Sequence, residues 1–314
     1  MNVFCPEWLL IFFRFKTILV CSVAILVEAV YILICFRFFR SYHVLFMVSF
    51  ILFLTSYIAT VTCSVLNEVI FFLDLPVNKA VFNTSYTVIE LFMQPLSLLT
   101  LMERCVATVR FSKYEHYKFS YYLVIGVVVT AGIVLIEFIL IEQDANWGSY
   151  FKFIYAFGTL ALLVGLQTVN KRLINSYKSR ATLTARYQMA ENIKALRLLL
   201  PFAYTELFIC VEYAILPYLF EVEIPLEEDK CRRYPTYGIV FLIGRTILEL
   251  IEIFAPLVSL HQDKVMWDFL VCRIHRPSSS PNQFKNVLGE KVAMKLENAR
   301  EIDHHFDDLK VAWA

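Results

Sequence analysis

Seven stretches of about twenty mostly apolar residues recur along the chain, at residues 17–36, 44–66, 84–102, 121–141, 151–169, 198–220 and 237–258. A helix rising 1.5 Å per residue needs about 20 such residues to cross the ~30 Å hydrocarbon layer of a bilayer. The recurrence therefore constrains the fold more than any motif does. The 314 residues are 59% hydrophobic and only 18% charged, with a mean hydropathy of +0.61. Soluble domains run near 45–50% apolar and about 25% charged. The excess is too large for one soluble core, so the spacing predicts an all-α membrane protein, a bundle of seven helices. The fifth segment is short and carries Gly158 and Gly165; the seventh holds Arg245, Glu249 and Glu252.

Orientation follows from the basic residues. Connections 37–43, 103–120 and 170–197 and the tail 259–314 hold 2, 4, 7 and 8 lysines and arginines. The alternate set, 1–16, 67–83, 142–152 and 221–236, holds 2, 1, 1 and 3. The bias of 21 against 7 puts the first set in the cytoplasm, the N-terminus outside and the C-terminus inside. The sequon Asn83-Thr84-Ser85 falls on the outer side, which makes Asn83 a candidate for glycosylation. The first residues have no basic stretch ahead of their apolar run, so a retained span rather than a cleaved leader is expected.

The expected organisation is an outer N-terminus, 1–16, a transmembrane domain, 17–258, an amphipathic interfacial helix, 259–275, and a cytoplasmic tail, 276–314. In HQDKVMWDFLVCRI, Val265, Met266, Phe269 and Leu270 share one helical face. Cys272 there is a candidate for S-acylation. In the tail, Val292, Leu296, Ala299, Ile302, Phe306 and Leu309 recur at near-helical intervals.

Catalytic signatures are missing. The chain has no GxxxxGK[ST], GxGxxG, HExxH or GxSxG, and its six histidines lie outside the interiors of the apolar segments. No enzyme, cofactor or metal site is expected. The net charge of +1 does not point to nucleic acid, and none is expected as a partner. Cys5 and Cys231 lie outside the spans on the outer side, candidates for a disulfide or for two unpaired thiols.

Charge inside the segments is informative. Glu28, Glu90, Glu137, Glu206, Glu212, Glu249 and Glu252 fall within them. Each costs roughly 2.5–3.5 kcal/mol near the midplane if ionised and unpaired. Arg245 and Glu249 are i,i+4 and can pair along one helix. Counted from the outer ends, Glu90 lies about 9 Å deep, and Glu212 and Arg245 about 12 Å. Glu90, Glu212, Arg245 and Glu249 are either a structural ion-pair group or the wall of an outer ligand cavity.

The block LMERCVATVRFSKYE puts Glu103–Arg104 where the third apolar run ends. Seven spans, an outer N-terminus and Glu-Arg at that place resemble the G-protein-coupled receptor architecture. MERCVATVRFSKYEHYKFS, RYQMAENIKALRLL and Pro256 together resemble the nematode serpentine receptors of class epsilon, the Sre chemoreceptors, over most of residues 17–272. The resemblance implies an external small-molecule odorant or water-soluble chemical, a heterotrimeric G protein at the inner face, and the ciliary plasma membrane of a sensory neuron. It implies that Glu103 and Arg104 hold the inactive state and then meet the G protein. The chain departs from the rhodopsin-like pattern: Cys105 follows Arg104 where Tyr is usual, FAPLV has Pro256 without NPxxY, and Pro201 and Pro217 sit near the ends of span six rather than in a central WxP. The alternatives are a secondary transporter working through the intramembrane carboxylates and a membrane scaffold that does not signal.

Overall fold

The computed structural model describes residues 7–39, 42–73, 79–110, 120–144, 146–177, 183–220 and 235–274. Among these there are eight helices and no strand. They are α1 (Glu7–Arg37), α2 (Val44–Phe72), α3 (Lys79–Val109), α4 (Ser120–Gln143), α5 (Asn146–Tyr177), α6 (Leu183–Phe220), α7 (Pro235–Gln262) and α8 (Lys264–Ile274). The chain divides into Met1–Val271 and Cys272–Ala314. Of the second unit, the described part is the last turn of α8. Cys5 and Cys231 and the periodic stretch 292–309 lie outside the described residues, as do the side chains of Asn83, Glu212 and Cys272.

Each of the first seven helices overruns its apolar segment. α1 begins at Glu7 rather than near residue 17, and α6 begins at Leu183 rather than near 198. A formed helix propagates at little cost, and in an apolar medium every backbone group left unpaired costs several kcal/mol. The hydroxyls obey the same rule by bonding carbonyls one turn back: Thr55 to Ile51 O at 2.8 Å, Thr100 to Leu96 O at 2.9 Å, Thr246 to Leu242 O at 2.6 Å. The overrun moves Asn83 into the backbone of α3, not a loop. Residues 259–262 join α7, and a break at Asp263 starts α8.

Four helices are long and apolar enough to cross a membrane by length and composition, through Ile11–Arg37, Val44–Ile70, Leu123–Gln143 and Tyr150–Ser176. Only 17% of the apolar stretch of α4 is buried inside the protein. Its outward face, with Val124, Val128, Leu135 and Ile136, is 59–65% exposed. Water does not solvate such a surface favourably, whereas lipid does. The chain is a multi-pass membrane protein in that sense.

The helices pack as α1 against α2 and α7, α6 against α5 and α7, and α3 against α2, α4, α5 and α6. The core between them is aromatic. On α2, Phe46, Phe50, Phe53 and Tyr57 fall at i, i+4, i+7 and i+11, one helical face. Phe202 of α6 lies edge-on to Phe50, Phe53 and Tyr57 at 6.0, 5.7 and 6.1 Å, and stacks on Tyr31 of α1 at 5.9 Å. On α8, Met266 is fully buried and Trp267 and Leu270 pack on the core, while Val265, assigned to the same face by its spacing, is exposed.

Candidate functional site

Two polar groups of opposite placement occupy the bundle. The first is at the ends where α1, α3 and α7 begin. α7 carries Arg245, Glu249 and Glu252 within eight positions. Arg245 Nε lies 3.7 Å from Glu249 Oε1. Glu249 then turns toward α1: its Oε2 accepts from Lys16 Nζ at 2.7 Å and its Oε1 from Thr17 Oγ1 at 2.9 Å. Lys16 also reaches Thr246 Oγ1 at 3.3 Å. Glu249 is thus a clamp between α1 and α7.

Arg245, in contrast, lines a cavity of about 50 Å³ with Glu90, Glu252, Tyr57, Ser64 and Tyr86, among others from α1, α2, α3, α6 and α7. Glu90 Oε1 accepts from Lys152 Nζ of α5 at 2.7 Å. Near the same end, Arg14 Nη1 donates to Glu68 Oε2 at 3.3 Å. The hydroxyl of Tyr57 is buried and has no hydrogen-bond partner among the described residues.

Of the four cavity candidates, Glu90 and Arg245 are brought together and Glu249 stands apart; the side chain of Glu212 is not among those described. The sequence reading missed Glu252 as a wall residue, although it lies on the Arg245 side of α7 two turns on. It missed Lys16 and Lys152 as partners because both stood outside the apolar segments or at their edge. Ser64 carried no signal, since a serine hydroxyl in an apolar helix mostly bonds its own helix's carbonyls; Tyr57 and Tyr86 carried none, since an aromatic ring in an apolar run has the same spacing whether it packs in the core or lines a cavity.

The second group is at the opposite end. Arg104 is 1% exposed and Glu103 is buried beside it. Arg104 Nε and Nη2 donate to the two Glu103 oxygens as a fork. Nη1 donates to Asn192 Oδ1 of α6 at 2.9 Å, and the guanidinium lies 4.7 Å over the Phe46 ring. Asn170 of α5 donates to Thr108 Oγ1 at 2.9 Å, and Thr108 bonds the Arg104 carbonyl at 2.8 Å. His43 Nδ1 lies 3.6 Å from Glu103, and the His43 N–H donates to Glu191 Oε1 at 2.5 Å.

Burial pushes the Glu103 carboxyl up, but Arg104 and His43 outweigh it and hold the group below the usual carboxylate range. Glu191 goes the other way, raised by burial against the pull of Arg104. Although it stands where the apolar run of α3 ends, Arg104 is turned inward, because α2, α3 and α6 offer it partners.

A third contact continues this group. Asp263, between α7 and α8, accepts from the Val265 and Met266 N–H groups at 3.0 and 3.4 Å, so it caps α8. Its Oδ2 takes the Tyr42 hydroxyl and Lys194 Nζ, the latter at 3.0 Å. Burial and the Asp263 carboxylate push the Tyr42 phenol up, keeping it a donor. An Asp directly ahead of a helical run is a capping signature, the one signal that pointed to this residue. The arrangement ties α6 at two points, Asn192 and Lys194, to α3 and to the α7–α8 break.

Compared with known proteins, the chain matches no family model and no curated protein.

Proposed function

We propose that the chain is a seven-span chemosensory receptor of the G-protein-coupled kind, similar to the nematode Sre family. It binds an external small molecule in the cavity beside Arg245 and passes the change to a heterotrimeric G protein at the Arg104 end. It catalyses no reaction. In this reading α3, α6 and α7 cross the bilayer with the four apolar helices, the N-terminus lies outside, and the residence is the plasma membrane of a sensory cilium. The lysine and arginine distribution and the Glu103–Arg104 placement support it.

The observation that carries the reading is the stripe on α2. Tyr57 lines the cavity, Phe46 lies under the Arg104 guanidinium, and Phe50 and Phe53 fill the ~16 Å between them, at 1.5 Å per residue. Phe202 of α6 packs on the same stripe. A ligand that displaces Tyr57 shifts the packing on which α6 rests, and α6 is bonded to Arg104 through Asn192. Packed aromatic contacts have discrete arrangements, as a two-state switch requires.

The test is calcium or cAMP imaging of cells expressing the chain against volatile and water-soluble compounds. A ligand-dependent response lost in Arg104→Ala, with surface expression kept, is expected. A cytoplasmic N-terminus in an accessibility assay sinks the reading. One observation favours a proton-coupled transporter instead: Glu28 of α1 is buried with neither carboxyl oxygen bonded among the described residues. That reading requires solute uptake driven by a proton gradient and abolished by Glu28→Gln.

A further inference from the structure

A second, smaller cavity, of about 10 Å³, lies among α2, α3, α5 and α6. Phe53, Leu163 and Phe202 belong to its apolar lining, which is broken by Ser97 of α3, Thr159 of α5 and Glu206 of α6. All three polar residues are at most 5% exposed. Thr159 Oγ1 and Glu206 Oε1 are buried and have no hydrogen-bond partner among the described residues. Thr159 thus departs from Thr100 and Thr246, whose hydroxyls bond a carbonyl one turn back. Ser97 Oγ donates to Glu206 Oε2 at 3.5 Å, longer than the usual O–H···O distance of about 2.5–3.0 Å.

An unmade hydrogen bond on a buried group is costly, so two such oxygens on one cavity point to an occupant. Size and chemistry fix which. At about 10–15 Å³ for one water, the cavity has room for one and nothing larger. A buried water needs about two to four polar partners, and three residues on this wall supply them. Water both donates and accepts, so it serves a carboxyl oxygen and a hydroxyl whichever of them carries the proton. A bare metal ion is served badly. Ca2+ takes about six to eight oxygens and Mg2+ about six, whereas the other residues of this wall are apolar.

We propose that one internal water occupies this cavity and joins Thr159 of α5 to Glu206 of α6, with Ser97 of α3 beside them. It ties three helices next to the edge-on contact of Phe53 with Phe202. The site goes beyond the receptor reading and does not depend on it.

The experiment is thermal melting of the full chain and its variants in lipid nanodiscs. Thr159→Val decides it, because valine keeps the shape and removes the hydroxyl. A hydroxyl bonded to water is lost at a cost, so the variant is expected to melt about 2 °C lower. In a dry cavity the same change removes an orphan polar group and leaves melting unchanged or raised. Thr159→Ser keeps the hydroxyl and is expected to melt closer to the parent than Thr159→Val does. Glu206→Met is expected to melt lower, and its combination with Thr159→Val to lose less than the two shifts added, since both act on one water. A structure of the full chain fine enough to show ordered water is expected to hold a peak about 3 Å from Thr159 Oγ1 and from Glu206 Oε1.

Thr159→Val melting at or above the parent, additive losses in the pair, or no such peak overturns the assignment. So does a melting temperature that rises in sodium over choline for the parent and not for Glu206→Gln, which gives the cavity to a cation.

Discussion

Arg104 is a guanidinium with 1% of its surface exposed, and every consequence at the residue scale follows from that. Removing one partner of a buried pair leaves the other charge desolvated, a cost of about 3–5 kcal/mol. Arg104→Ala is expected to lower stability by about 3 kcal/mol in detergent melting, because His43 still faces Glu103. Glu103→Gln with Arg104→Met, which removes both charges, is expected to cost less than Arg104→Ala alone. The acid limb belongs to Glu103. Its carboxyl is held below its unfolded value, so its contribution is present above about pH 4.3 and is lost as pH falls through the lower folded value. Glu191 has the opposite sign: its raised value means that stability falls as pH rises through it. Melting curves from pH 7 to 3 are therefore expected to show an acid loss that Glu103→Gln flattens and Glu191→Gln does not. The sequence marked Glu103 and Arg104 through their place at the end of an apolar run. It did not mark Asn192, Asn170 or Thr108, since a small polar residue in a helix has the same spacing whether it meets a guanidinium or lipid.

Helices meet where their surfaces allow it, and two glycines of α4 make the contrast measurable. A Cβ on Gly126 would stand 2.6 Å from Leu99 Cδ1 of α3, whereas one on Gly132 meets nothing within 4 Å. Gly→Ala in a helix interior gains roughly 0.5–1 kcal/mol of backbone entropy, and overpacking costs about 1–3 kcal/mol. Gly132→Ala is expected to raise stability by about 0.5 kcal/mol. Gly126→Ala is expected to be neutral to unfavourable by about 1 kcal/mol, as Leu99 must turn aside. Unfolding of the two variants side by side decides it, and an equal gain in both defeats the close α3–α4 approach. The start of α8 gives a second comparison. Asp263→Ala loses the cap and the Lys194 and Tyr42 contacts and is expected to cost about 2 kcal/mol. Asp263→Asn, which still caps, is expected to cost about half as much. The apolar segments showed that these elements exist. Their true ends were hidden, because a helix runs on past its apolar stretch wherever its charges find partners, as Arg14 and Lys16 do with Glu68 and Glu249.

Among the described residues, α1, α2, α4 and α5 present apolar outer surfaces, while Glu28, Glu206, Glu249 and Glu252 are turned inward. The whole molecule is expected to stay with the membrane fraction through alkaline carbonate washing and to need detergent for release; release by carbonate alone defeats the membrane assignment. A sequon appended at residue 1 is expected to be glycosylated if the N-terminus is outside, as the basic-residue bias requires. At this scale the membrane class and the all-helical fold were legible in the sequence, since length and apolarity are additive along a chain. The cavity was legible only in part. Depth counting placed Glu90 and Arg245 within about 3 Å of each other in depth, because depth depends on position along a helix. It did not separate Glu249 from Glu252, because that depends on rotation about the axis. Three residues turn a helix by about 300°, so the two carboxylates point some 60° apart. That angle sends Glu249 to Lys16 on α1 and Glu252 into the cavity. The sequence by itself determined that this chain makes membrane helices and which residues carry charge into them. Only the tertiary structure decided which charges meet, because partner choice is set by how each helix is rotated against its neighbours, and no local pattern encodes that rotation.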